Sequence, residues 1–395
     1  MNIYFSDISI CLLIVYLLTF LLAFSSARNK LKAYFGFIIF ILTGIAFYFD
    51  PIKAWIIKGN YTDLYRFFND MDVFQQVGWG GQPNLFQTNY AIIPVTKTLV
   101  YLVSCTRIYG LLPAASCLIY YSVASKTIIE SKKMFGISNK NAALVFFIVL
   151  ALTNYKIVIT NIRMPFGMAL FFLVLFFDCT KRIKIHYCLF GYICLCGIHM
   201  IFILFLALRL IALVANKYSR IVVGTLLSLS GTGLYWIYNW FNYYSGNILV
   251  QSILKKIDFY TSDSISSYSE PWILFLGWLK IFFVILLLLY CYKKLDRKKL
   301  SEISLFFDFT FVFTSFCIGS FWSFHLFHRM TNFMVFLIAF WYNVYRSTDF
   351  SRSMKSVQYN KRQGKILLID LSCAVVVVLH FFYFFASYQL RVLCF

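Results

Sequence analysis

Charge is what this sequence has least of. Only 13% of its residues are charged, and acids are the rarer sign, 15 Asp and Glu against 36 Lys and Arg, with His and Pro scarcer still at 5 and 6. Soluble domains carry about 25% charged residues, so a water-facing globule of this size is excluded. No Walker A loop, no G-x-S-x-G, no H-E-x-x-H and no dinucleotide fingerprint occurs, which counts against an ATP-driven transporter. The 11 cysteines form no C-x-x-C pair. Cys194 and Cys196, two apart, fall on different helix faces, so neither a disulfide framework nor a zinc site is indicated. There is no repeat and no low-complexity tract. The first apolar run has no basic leader and no small-residue cleavage site, and reads as a retained anchor.

What fills the chain is apolar: 61% of its 395 residues are hydrophobic and 21% aromatic, with a mean hydropathy of +0.76. Runs long enough to cross a bilayer recur throughout, each needing roughly 17–25 mostly apolar residues, and about twelve can be drawn. The expectation is an all-α polytopic membrane protein, one membrane domain over residues 1–395. A barrel would show short alternating segments instead. The spans fall near 4–24, 33–49, 108–125, 141–155 and 163–178, then as two short crossings over 186–215. The rest lie near 221–240, 272–292, 303–322, 331–345 and 366–388.

A net charge of +21 can signal nucleic acid, but most of the basic residues cluster in short gaps between spans. These gaps include Arg28, Lys30 and Lys32, then Lys126, Lys132, Lys133 and Lys140, then Lys181, Arg182 and Lys184. By the positive-inside rule they face the cytoplasm, so the basicity records orientation and no nucleic-acid partner is expected. Two outer loops are then large, 50–106 and 241–270, and loops of that size are uncommon unless they work. Asn89 to Thr106, with Lys97 in its middle, reads as an amphipathic helix on the outer face, since forcing it across would invert every later gap.

The candidate chemistry lies on that outer side. In "TNIRMPFGMAL", Arg163 precedes a proline that suits a first helical turn and a glycine that permits close approach. It is either a snorkelling arginine or, with the free N–H groups and positive dipole end of its helix, an anion site. In "FWSFHLFHRMTNF", His325, His328 and Arg329 share spacing that one helical face can present. The histidines lack a third metal ligand, and Arg329 is the better reading, as a second phosphate clamp. His199, in "CGIHMIF", marks the turn between the short crossings, either a packing residue or a functional one, as polar groups at membrane depth tend to be. "GNYTDLYRFFNDMDVF" offers Asp63, Tyr65 and Arg66, then Asp70 and Asp72. The D-x-D pair recurs in metal sites but does not share a helix face, while Asp63 and Arg66 can simply brace the loop. Lys280, Asp308 and Asp370 lie within spans, where charges default to pairing or function.

Taken in order, "IRMPFGMAL", a basic gap, "GIHMIF", the early outer Asp63-x-Tyr65 and the late outer Arg329 resemble the Wzy-type polysaccharide repeat-unit polymerases, in their EpsG-like branch, over about residues 50 to 345. Met164 stands where that family usually has a polar residue, Ile201 where it often has serine, and "GQPNLF" replaces its acidic entry to the outer helix. The resemblance implies a bacterial inner-membrane glycosyltransferase acting at the periplasmic face. It would join undecaprenyl-pyrophosphate-linked oligosaccharide repeat units, donor to acceptor, in the bilayer, with a chain-length regulator as a further partner. Arg163, Arg329 and Arg66 would hold the donor pyrophosphate and His199 or Asp63 would act as general base. No metal and no cofactor are expected, because arginines can neutralise the leaving group. Trp236, Trp240, Tyr243 and Tyr244 would stack on sugar rings or serve as interfacial belt residues. The competing readings are a lipid-linked oligosaccharide flippase, which would keep its outer loops short, and an O-antigen ligase, which shares donor and side.

Overall fold

The computed structural model describes residues 3–49, 63–80, 90, 92–215, 219–229, 271–295, 302–321, 323–350 and 359–383. All secondary structure among them is helical. The loop expected at 241–270 lies outside the described residues, as do Trp236, Trp240, Tyr243, Tyr244 and "GQPNLF". Among the described residues, three helices are long and apolar enough to cross a membrane: Ser26–Phe47, Leu111–Phe135 and Pro271–Lys294. Six shorter apolar helices accompany them, including Asn139–Leu152, Ile185–Cys196 and Ser304–Gly319. Large apolar side chains such as Phe40, Phe190, Ile221 and Trp272 remain exposed on the helices, as lipid-facing surfaces require. The chain is therefore an all-helical, membrane-embedded protein.

The chain divides into two compact units, the first holding Met1–Leu204 with His380–Phe395 and the second holding Phe205–Leu379. The first contains α1 (Ile3–Phe24), α2 (Leu31–Phe47), α3 (Asp63–Val77), α4 (Pro94–Thr106), α5 (Leu111–Phe135), α6 (Asn139–Leu152), α7 (Tyr155–Thr160), α8 (Arg163–Cys179) and α9 (Ile185–Cys196). Helix α10 (Ile201–Val214) begins in it.

Side-chain contacts sort the ends of these helices. Glu130, in the last turns of α5, pairs with Arg182 just after α8, and Lys133 lies 3.0 Å from the same carboxylate. Lys126 stands 5.1 Å from the Phe177 ring, and Lys140, opening α6, stands 5.3 Å from the Phe24 ring at the end of α1. Helices α5 and α8 therefore run in the same direction, with the basic residues gathered at one end of the unit. At the opposite end, Gly110 lies against the Phe47 carbonyl where α2 finishes and α5 begins. Arg163 opens α8 at that opposite end. The amphipathic helix expected over 89–106 is α4, which has Pro94 at its first position, where a missing N–H costs nothing. It buries Thr96, Val100, Val103 and Ser104 at helical spacing and docks on the turn after α9. Val95 N donates to Gly197 O at 3.2 Å, and Thr96 Oγ1 donates to Ile198 O at 2.9 Å.

The second unit contains α11 (Ser219–Ser228), α12 (Pro271–Lys294), α13 (Ser304–Gly319), α14 (Phe324–Phe350) and most of α15 (Tyr359–Phe382). Trp278 meets Phe321 and Phe327 at one end (ring centroids 5.2 and 5.7 Å), while Tyr292 meets Phe307 at 5.7 Å and Tyr290 meets Tyr345 at 5.0 Å at the other. Helices α12 and α14 thus run parallel with α13 antiparallel between their ends. Helix α14 starts earlier than the span expected at 331–345. Phe327, Met330, Phe333 and Met334 are fully buried at three- and four-residue steps, which carries the helix through the polar His325, His328 and Arg329.

Candidate anion site at the mouth of helix α8

Helix α3 builds one wall. Asp63, Phe67 and Asp70 recur at four- and three-residue steps and so share a face. Arg163 lies across that face from α8. Its Nη2 donates to Asp63 Oδ2 at 3.0 Å, and its guanidinium carbon sits 5.3 Å from the centre of the Phe67 ring. A guanidinium stacked on an aromatic face keeps its edge free for planar hydrogen bonds. Only one of its nitrogens is committed to Asp63, and its buried Nε has no acceptor. Arg66 approaches the other Asp63 oxygen at 3.8 Å, a distance of electrostatic contact that is too long for a hydrogen bond.

Asp70 lies one turn further along. It is 1% exposed, its Oδ2 accepts from the Tyr90 hydroxyl at 2.5 Å, and its Oδ1 has no donor. Burial pushes its carboxyl up to about 6, against the Tyr90 hydrogen bond and the Arg163 and Arg66 charges, which hold it down. Tyr90 is pushed above its ordinary value by burial and by the Asp70 charge. The two carboxylates of the D-x-D pair part company: Asp72 accepts from Tyr109. With both arginines charged and both carboxylates ionised, the cluster of Asp63, Arg66, Asp70 and Arg163 is electrically balanced. Protonating Asp70 leaves it with one net positive charge.

A cavity of about 320 Å³ opens beside Arg163, walled by Val95, Leu99 and Leu102 of α4, Phe166 of α8, and Ile198 of the turn after α9. Val95 and Leu102 are exposed, so the wall is continuous with an outward apolar face. The combination suits an amphiphile, a guanidinium for an anionic head and aliphatic walls for a chain.

His199 follows directly on Ile198. Its Nδ1 accepts the Ile201 backbone N–H at 3.1 Å, capping the start of α10. In the neutral ring this makes Nε2 the protonated nitrogen, a donor. Behind it, Phe202 fills the space that Gly167 leaves on α8. A Cβ at position 167 would lie 2.2 Å from Phe202 Cε2.

Asp63, Arg66, Arg163 and His199 thus belong to one unit and one end of it. Asp70, offered by the sequence only as half of a D-x-D pair, is held by Tyr90 instead; Tyr90 and Phe67 are functional candidates that sequence spacing passed over, although the Asp63–Phe67–Asp70 step along one helix was a signal for Phe67. Arg329 belongs to the second unit, on α14. There the intramembrane acids find partners: Asp308 Oδ1 lies 2.5 Å from Arg220 Nε, and Asp370 accepts from Arg346 at 2.9 Å and Tyr342 at 2.7 Å. Among the described residues no group of three His, Cys, Asp or Glu is arranged to hold a metal ion. No family model matches the chain, and no curated protein or solved structure is significantly similar to it.

Proposed function

We propose that the chain is a lipid-linked glycan polymerase of the inner membrane, with Arg163 as the cation that holds a polyprenyl pyrophosphate donor. The observation that carries this reading is a stacked arginine at the mouth of an apolar cavity, at the end of its unit opposite the basic residues. By the positive-inside rule that end faces away from the cytoplasm. A soluble sugar nucleotide would have no use for the aliphatic walls, whereas an isoprenoid chain would. On this reading the shorter apolar helices cross as well, giving about twelve spans, and the partners are the donor, a lipid-linked acceptor, the bilayer and a chain-length regulator.

The chemistry follows from exchange of ions. The incoming pyrophosphate competes with Asp63 for Arg163 and takes its open edge bidentately. Negative charge grows on the pyrophosphate as the sugar C1–O bond breaks, so a prepositioned guanidinium stabilises that state more than the ground state. Asp63, released from Arg163, accepts the proton of the attacking sugar hydroxyl. His199 donates from Nε2 and so serves as a hydrogen-bond donor to ligand oxygen, leaving the base role to Asp63.

The test is reconstitution with lipid-linked repeat units and a gel of the products. Wild-type protein gives a ladder, and Arg163→Ala reduces the rate by about 10²–10³-fold while Arg163→Lys, which keeps the charge and loses the fork, falls between. Absence of any product longer than one repeat from folded wild-type protein rejects the reading. Movement of unextended units across the bilayer indicates a flippase, and transfer to a lipid core a ligase.

A further inference from the structure

Helix α8 ends in a strained turn. Thr180 N donates to Phe176 O and Arg182 N to Phe177 O, both at 3.1 Å, with Lys181 between them at φ 52°. This reversal closes many helices, and its left-handed position ordinarily belongs to glycine. A side chain there is strained, and here the side chain is a base. The turn sends Arg182 back over α8, its guanidinium carbon 5.6 Å from the centre of the Phe176 ring, where it pairs with Glu130 of α5.

On α5, Lys126, Glu130 and Lys133 recur at four- and three-residue steps and share a face. Lys133 Nζ lies 3.0 Å from Glu130 Oε1, whereas Lys126 lies over the Phe177 ring at 5.1 Å. Glu130 thus serves two bases, and Lys126 finds an aromatic face in place of a carboxylate. The other acid between Lys126 and Lys184 is Asp178, which is buried and accepts from Tyr192 at 3.0 Å. Among the described residues, Lys126, Lys181 and Lys184 pair with no carboxylate. Directly after Lys184 begins α9. It packs on α8 where Gly191 meets Val174, a Cβ there coming within 3.0 Å of Val174 Cγ2, while Ile185, Leu189 and Ile193, at four-residue steps, stay exposed. Bases without an acid therefore stand at the head of an open apolar helix face. Like charges repel unless an anion joins them, and the apolar face below suits an anion that carries acyl chains.

We propose that the end of α5, the turn after α8 and the start of α9 form a site for one anionic phospholipid. Lys126, Lys181 and Lys184 take the headgroup phosphate, Arg182 is held between them by Glu130, and the chains lie along the exposed side of α9. The site goes beyond the Arg163 reading and does not depend on it, because it lies at the opposite end of the unit and predicts retention of a lipid, with no turnover.

The experiment is native mass spectrometry of the full chain in detergent, titrated with dioleoylphosphatidylglycerol in one arm and dioleoylphosphatidylcholine in the other. The two lipids share their chains and phosphate and differ in net charge. Wild-type protein is expected to take its first phosphatidylglycerol at least about tenfold more tightly than phosphatidylcholine. A base beside an anionic headgroup is worth about fivefold in affinity, so Lys126→Gln and Lys184→Gln, both at exposed side chains, should each weaken that first event by about fivefold. Lys140→Gln removes the same charge at the same end of the unit but from α6, where it lies over Phe24, and should leave the event within about twofold. Lys181→Gly separates binding from structure: it relieves the left-handed strain, so the melting temperature without lipid should hold or rise while phosphatidylglycerol binding weakens. Equal losses in Lys126→Gln and Lys140→Gln, or equal affinity for the two lipids, would reduce the cluster to general surface charge and overturn the proposal. Displacement of the lipid by an equal concentration of glycerol 3-phosphate would assign the bases to a soluble phosphate and overturn it as well.

Discussion

Two of the regions where this molecule concentrates cations balance them differently. At the mouth of α8, Arg163 and Arg66 share their neighbourhood with Asp63 and Asp70. On α12 and α14, Lys280 and His328 stand with further bases, and neither α12 nor residues 324–347 of α14 holds an Asp or Glu. Each region also rests on a glycine whose missing side chain admits a phenylalanine ring, Gly167 under Phe202 and Gly277 under Phe327. The contrast is instructive because an internal counter-ion has two consequences. It spares the protein the cost of an isolated charge, and it sets a competitor that any ligand must displace. The first region is built to exchange partners. The second draws no acid from those stretches of its two helices, so any counter-charge reaches it from elsewhere.

The largest effect that would break the comparison is on the sign of a stability change. Arg163→Met leaves Asp70 buried with one of its two cations gone and Asp63 without the hydrogen bond that Arg163 donates. Removing one partner of a buried pair destabilises by up to about 3–5 kcal/mol, less here because Arg163 and Asp63 are partly exposed and solvent screens them. Lys280→Met orphans no carboxylate among the described residues and is expected to leave the melting temperature of the ligand-free protein unchanged or raised. Thermal unfolding of both variants without added anion measures the difference. If Lys280→Met is the more destabilising of the two, the second region holds a counter-ion after all and the contrast fails.

A smaller effect tests the shared feature. Gly167→Ala and Gly277→Ala each force a methyl group into a phenylalanine ring, at 2.2 and 2.5 Å. Overpacking of this kind costs about 1–3 kcal/mol. In Gly167→Ala the ring at risk is Phe202, three residues beyond His199, so the turn that lines the cavity should shift and anion affinity at Arg163 should fall with stability. Pairing with a second-site reduction, Phe202→Leu, is expected to restore part of the loss. No loss of stability in either alanine variant would show that the rings have room to move.

How far these regions can be read from residues alone depends on what each one rests on. The helices follow from long apolar runs, since burial in lipid demands them. Helix α8 accordingly begins at the arginine where the span at 163–178 was expected. The partner of Asp70 was not legible. Local spacing ties it to Asp72, yet the two acids accept from Tyr90 and Tyr109, which are 20 and 37 residues away along the chain. Long-range hydrogen bonds of this kind leave no periodic trace. The same holds for Asp308 and Asp370, whose charges stand out in their spans while the arginines that neutralise them lie on other helices.

The smallest effect sharpens the comparison by removing the internal balance of the first region. Asp70 has its folded value raised to about 6, so between the ordinary carboxylate value and 6 the folded state binds more protons than the unfolded one. Stability therefore falls as pH rises through that window and levels off above it. Ligand binding follows the same proton. Above pH 6 the α8 cluster is balanced, and below it Asp70 is neutral and the cluster carries one net positive charge. Pyrophosphate affinity at the Arg163 site should rise several-fold as pH falls from 7.5 to 5.5, after correction for protonation of the ligand itself. Asp70→Asn keeps a hydrogen-bond acceptor for Tyr90 and removes the titration, so it should bind at pH 7.5 as wild type does at pH 5.5 and show a flat profile between. A variant that retains the wild-type pH dependence would assign the proton to a different group and leave the balance of the first region unexplained by Asp70.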